Sequence, residues 1–267
     1  MLESLISFTE VNDRPFLMFI WAFIICSISI LISTQISYQI QVAGASVNLT
    51  GIFAVLFTVI PSVYFLTLLI KNEERIEEEE ALRMHEIPFL ERHTKDLSVL
   101  LFYFGGLTMA FALWSFFLPP AFFQVQITKI NQIQGISAGS ADVQFENFKA
   151  ILFNNLQVMF FSFLFSFIFG AGAVFIITWN ASILGVYIGQ LSRSLFEIPV
   201  VTLMFIPHGV PEILAYLAAG ISGGIMSAAL LRKNKMEVLE LIIFDCFKLL
   251  FLAVFLVFIA AGIEVYL

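Results

Sequence analysis

Apolar residues run through this chain in long blocks, each about as long as a bilayer is thick. A helix needs roughly 20 mostly apolar residues to cross the hydrocarbon core. Phe16 to Ile36 is the first such block, with Pro15 at its start, where a missing N–H costs nothing. Ile52 to Ile70 is the second, with Pro61 inside it, and Leu97 to Leu118 is the third, closed by Pro119-Pro120. The apolar stretch from Ala150 to Leu191 is too long for one crossing. Phe205 to Leu231 and Phe247 to Leu267 complete the series, the last with a polar lead-in from Met236. The expected fold class is therefore all-α, a polytopic transmembrane helix bundle.

Lys and Arg in short loops mark the cytoplasmic side. Lys71, Arg75, Arg83, Arg92 and Lys95 fall in loop 71–96, and Arg232, Lys233 and Lys235 in loop 232–236, whereas loop 37–51 has neither residue. Both basic loops lie on one side if 150–191 is two legs, about 150–170 and 172–191. That gives seven crossings, a cytoplasmic N-terminus, an external loop 119–149 and an external C-terminus. The alternative, six crossings plus a re-entrant segment around Asn180, strands the 232–236 cations on the wrong side. The first block has no small-residue cleavage site and is expected to stay as a span.

Composition strengthens this picture. Of 267 residues, 60% are hydrophobic, 12% are charged and 32 are Phe, against roughly a quarter charged in an ordinary soluble domain. A nucleic-acid binder and most water-soluble enzymes are excluded. The net charge of −7 is concentrated in loop 71–96, read as a charged cytoplasmic helix up to Pro88, solvated or available for docking a partner. Loop 119–149 is polar, alternates Val, Ile and Gln near its start, and is expected to form a short hairpin or an ordered cap, the other place where protein partners would bind. Asn48-Leu49-Thr50 in the remaining external loop fits a glycosylation sequon.

Polar side chains inside the blocks carry the functional signal, because hydrocarbon penalises them unless they are paired. Pro207-His208-Gly209-Val210-Pro211-Glu212 is the sharpest case. His208 and Glu212, four apart, share a helix face with Ala215, Ala219, Ser222 and Gly223. The pair reads as a proton relay, ion site or metal half-site in a crevice, or as a structural lock at a helix starting near Pro211. Asn154, Asn155 and Gln157 open the long stretch, followed by Gly170, Gly172, Asn180, Gly185 and Gly189. The first two glycines suit a tight bend and the last two a close helix crossing, while the asparagines serve as inter-helix glue or as a polar path. Glu237, Glu240, Asp245 and Lys248 form one stripe on the lead-in to the last block, with Asp245 and Lys248 able to pair at i, i+3.

Catalytic and cofactor chemistry has little support. No H-E-x-x-H, P-loop or G-x-G-x-x-G occurs, and His85 and His93 lack partners at ligand spacing. Cys26 and Cys246 form no C-x-x-C. The chain is expected to be non-catalytic and to hold neither cofactor nor metal.

The run 153–185 followed by 206–226 resembles the stage II sporulation protein M family. Asn154, Asn155, Leu184, Gly185, Pro207, His208, Gly209, Glu212, Ala219, Gly220 and Gly223 match its pattern; the usual Asn-Gly is Asn180-Ala181 here. The resemblance covers about 145–267, which suggests an N-terminal part at 1–118, the external loop, and a family-like membrane domain at 150–267. It implies a multi-pass cell-membrane scaffold, one that in spore formers gathers cell-wall hydrolases during engulfment. The rival expectation is a small-solute or ion transporter using His208, Glu212, Asn154, Asn155 and Asn180; a membrane-embedded enzyme comes third.

Overall fold

The computed structural model describes residues 14–36, 38–42, 44–64, 67, 89–136, 141–170, 172–231 and 236–266. With no water to satisfy the backbone in a bilayer core, spanning segments close their hydrogen bonds within a helix. The chain follows that requirement: α1 Phe16–Ile36, β1 Gln39–Val42, β2 Ala45–Asn48, α2 Thr50–Tyr64, α3 Phe89–Phe117, a 3-10 turn Pro120–Phe123, α4 Gln124–Ile136, α5 Ala141–Phe169, α6 Ala173–Leu191, α7 Glu197–Leu231 and α8 Met236–Tyr266. Among the described residues, α1, α3, α5, α6, α7 and α8 are long and apolar enough to cross a membrane, and α2 is a shorter apolar helix. The rest of the second block, the acidic segment 71–88 and the cations 232–235 lie outside the described residues.

The exterior is inverted relative to a water-soluble fold. Phe153 and Phe160 on α5 and Phe244, Phe247, Phe251 and Phe255 on α8 are all exposed. Contiguous apolar surface on this scale suits lipid, not water. The interior is built from small residues. Helix α7 is the hub, buried almost throughout 213–225 and packed on α5 and α8. Gly223 abuts the Phe163 carbonyl of α5, and a Cβ on Gly220 would meet that of Ala173 at 2.7 Å. Ser222 Oγ donates to the Cys246 carbonyl of α8 at 3.0 Å. A second layer, α1–α3–α6, meets the first through α6 and α3. Gly185 and Gly189 of α6 face the α3 backbone: a Cβ on Gly185 would lie 2.5 Å from the Thr108 carbonyl oxygen.

The stretch 150–191 is two helices. Gly170, at φ +69°, ends α5 in a left-handed conformation that glycine adopts without a steric penalty. Gly172 then packs against the Phe165 carbonyl, and Ser166 Oγ accepts from the Ala173 N–H at 3.0 Å, satisfying one of the unpaired donors at the start of α6. Helix α6 continues unbroken through Asn180, so no re-entrant segment forms there.

Three expectations need correction. The segment 119–149 is not a hairpin: it forms the 3-10 turn, α4 and the first turns of α5. The hairpin lies instead at 39–48, where β1 and β2 pair antiparallel and turn at Gly44, φ +83°. Helix α4 caps it: Gln124 Oε1 accepts from the Asn48 N–H at 2.8 Å, and Gln126 Nε2 donates to the Gly51 carbonyl at 3.1 Å. Second, α7 does not start near Pro211 but at Glu197, whose carboxylate accepts from the Arg193 N–H at 2.8 Å. Pro207 and Pro211 lie inside the helix, each removing one backbone N–H. Third, α3 starts before Leu97, so His93 and Asp96, read as loop residues, are buried helical ones.

Candidate functional site

A cavity of about 430 Å³ lies at the end of the bundle where α4 sits. Its walls come from the α4-proximal portions of the surrounding helices: 150–161 of α5, 176–187 of α6, 205–213 of α7 and Glu264 near the end of α8. All five polar residues singled out from the sequence, Asn154, Asn155, Asn180, His208 and Glu212, line it. They arrive on three helices, α5, α6 and α7.

Their bonding is uneven. The Tyr216 hydroxyl donates to Glu212 Oε1 at 2.6 Å, so Glu212 is held by the next turn of its own helix. That replaces the expected His–Glu pair: His208 instead lies edge-on against Phe205, ring centroids 5.8 Å apart, and Phe205 against Tyr187 at 5.5 Å. Asn180 Nδ2 donates to the Ile176 carbonyl at 2.7 Å, back along α6, which fixes the amide within its own helix rather than across helices. Asn154 Nδ2 donates to Asn155 Oδ1 at 3.1 Å. Asn155 is only 4% exposed, and its own Nδ2 has no acceptor. A buried amide donor without a partner costs on the order of 1–3 kcal/mol.

Further polar residues complete the wall. Glu264, exposed near the end of α8, lines the cavity together with Glu212. Lys129 and Gln132 contribute from α4 and Gln157 from α5. A carboxylate within Gly262-Ile263-Glu264-Val265 is the same signal as Glu212, an acid in an apolar block, and its place near the chain end hid it. Gly209 also lines the cavity, and a Cβ there would meet nothing within 4 Å. The helix-packing residues are elsewhere: Ala215, Ala219, Gly220 and Gly223 are buried in the hub below the cavity, and Gly185 and Gly189 against α3.

Among the described residues no three His, Cys, Asp or Glu side chains are grouped to hold a metal ion. The spacing G-x-S-x-G does occur, at Gly220 to Gly224, but Ser222 there is fully buried mid-helix with its hydroxyl donated to α8. A nucleophile elbow needs that serine exposed on a strand-to-helix turn. The same spacing at 135–139 runs into residues outside those described.

The profile of the stage II sporulation protein M family matches residues 98–267. The chain belongs to the stage II sporulation protein M family. The match reaches further back than the 145–267 over which the motifs were recognised, so the family region takes in nearly all the spanning part of α3 together with α4, and every wall of the cavity falls inside it. The chain is also similar to uncharacterized protein MJ0793 of Methanocaldococcus jannaschii, 34% identical over 145 residues, covering 53% of this chain and 80% of that protein. No solved structure matches. Membership of the stage II sporulation protein M family and the apolar helices agree on a membrane protein.

Proposed function

We propose that this protein is a non-catalytic integral membrane protein that admits a small polar solute to an intramembrane site and moves it across the bilayer. One observation carries the reading: five polar side chains, scattered over 59 positions from Asn154 to Glu212, line a single cavity. Inter-helix glue is spent on pairing helices, whereas Asn155 has an unused donor and Asn180 bonds only its own helix. The volume falls in the range of small-molecule sites, roughly 300–1,000 Å³. Pro207 and Pro211 weaken the α7 backbone ladder beside the cavity, which provides a place for the helix to bend. By the loop charges, the α4 end of the bundle, and the cavity with it, lies toward the outer face. The organiser role implied by the family resemblance would use the same fold with the cavity idle.

The test is stopped-flow swelling of proteoliposomes exposed to urea, glycerol, alanine or ethanolamine hydrochloride. The reading expects protein-dependent entry of at least one of these, lost in Gly209→Leu, which fills the cavity from a position where a side chain meets no neighbour. Vesicles as tight as empty ones for all four solutes would support the organiser role instead.

A further inference from the structure

The charge and bonding pattern of the cavity define its ligand more narrowly, an inference that rests on the reading above only for the idea that the cavity is occupied. Two carboxylates on different helices, Glu212 of α7 and Glu264 of α8, line one cavity. Glu212 is partly buried and Glu264 exposed, and like charges that share one cavity repel. Tyr216 gives Glu212 a hydrogen bond but no charge. The basic residues of the lining are Lys129 of α4 and His208, which is turned against Phe205. Two further features go beyond an acidic cluster. Trp179, Tyr187, Phe205, Phe104 and Phe161 supply aromatic walls, which attract cations through their ring faces. Asn155, more than nine-tenths buried and lining the cavity, has an amide N–H without an acceptor.

We propose that the cavity binds a small organic ammonium solute that also carries a hydroxyl or carboxylate acceptor, its ammonium between Glu212 and Glu264 and its acceptor toward the Asn155 amide. A bare inorganic cation would satisfy the carboxylates but would leave the aromatic walls and Asn155 unused, in a space of about 430 Å³. A neutral solute would satisfy Asn155 and leave the carboxylates opposed.

The experiment uses the full chain in lipid nanodiscs, with Trp21→Phe and Trp114→Phe so that Trp179 in the cavity wall is the fluorescent reporter. Ethanolamine, alanine, ethylammonium, ethylene glycol and sodium chloride are titrated at constant ionic strength. Ethanolamine or alanine is expected to change Trp179 emission saturably. Ethylammonium, lacking the acceptor, binds about 5- to 10-fold more weakly, in line with one lost hydrogen bond. Ethylene glycol, the neutral isostere of ethanolamine, shows no saturation. Glu212→Gln and Glu264→Gln, which keep shape and hydrogen bonding, each weaken ethanolamine by more than 10-fold, and a thermal melt shows that both are folded. Equal binding of ethylene glycol, saturation by sodium alone, or no saturable response to any ammonium overturns the proposal. Neutral solutes entering vesicles without ammonium binding would sink this ligand and leave transport standing; ammonium binding without flux would do the reverse.

Discussion

The crossing of α3 and α6 depends on two glycines, and the structure sets the size of the effect when one is filled. A methyl group on Gly185 would lie 2.5 Å from the Thr108 carbonyl oxygen and 2.6 Å from Phe111 Cβ, about 0.9 Å inside the 3.4 Å where ordinary contact begins. Those neighbours are backbone and Cβ atoms, so relief requires one helix to move as a unit. Overpacking of this kind costs about 1–3 kcal/mol. Gly→Ala in a helix interior also gains about 1 kcal/mol of backbone propensity, which by itself would mask the clash. Gly209→Ala is the matching control, since its methyl group meets nothing within 4 Å. Propensity then cancels in the comparison, and Gly185→Ala should be less stable than Gly209→Ala by about 1–3 kcal/mol. The assay is reversible unfolding in mixed micelles of dodecyl maltoside and increasing SDS, followed by circular dichroism. Equal stability of the two variants would mean that α3 and α6 are not in backbone contact at Gly185, and the packing account would be wrong.

Two further outcomes test local features. Ser166→Ala removes the acceptor of the Ala173 N–H at the start of α6 and should lower stability in the same assay by about 1–3 kcal/mol, the cost of a buried donor left unsatisfied. Asn48 is 5% exposed, with its side-chain oxygen accepting from the Thr50 N–H at 2.9 Å. The sequon should therefore stay unmodified in a glycosylating host, with no mass shift on glycosidase treatment.

Much of the bundle was legible because a bilayer leaves the chain few choices. Apolar blocks of spanning length became helices, and the pair Gly170 and Gly172 marked where one long block had to reverse. The candidate site was legible for a related reason: hydrocarbon makes polar residues conspicuous, so His208, Glu212 and three asparagines could be picked out and then found around one cavity. What was hidden depended on local competition. The alternation in Gln124-Val125-Gln126-Ile127 looks strand-like, yet Gln124 and Gln126 point their amides at the hairpin and at α2 from a helix. Pro207 and Pro211 look like helix-start residues, yet Glu197 and the apolar residues after it begin the helix ten positions earlier than Pro207.

The central claim is that the polar side chains of α5, α6 and α7 face a water-accessible cavity open on one side of the membrane. Cysteine accessibility tests it most directly. In a Cys26→Ala, Cys246→Ala background, Asn180→Cys lies in the cavity wall, while Ile177→Cys, one turn back on the same helix and 4% exposed, does not line it. A membrane-impermeant cationic methanethiosulfonate reagent is added to either side of oriented vesicles. The account predicts that Asn180→Cys is modified from one side only, and more slowly with Gly209→Leu, while Ile177→Cys stays unmodified. Asn180→Cys as inert as Ile177→Cys would contradict it.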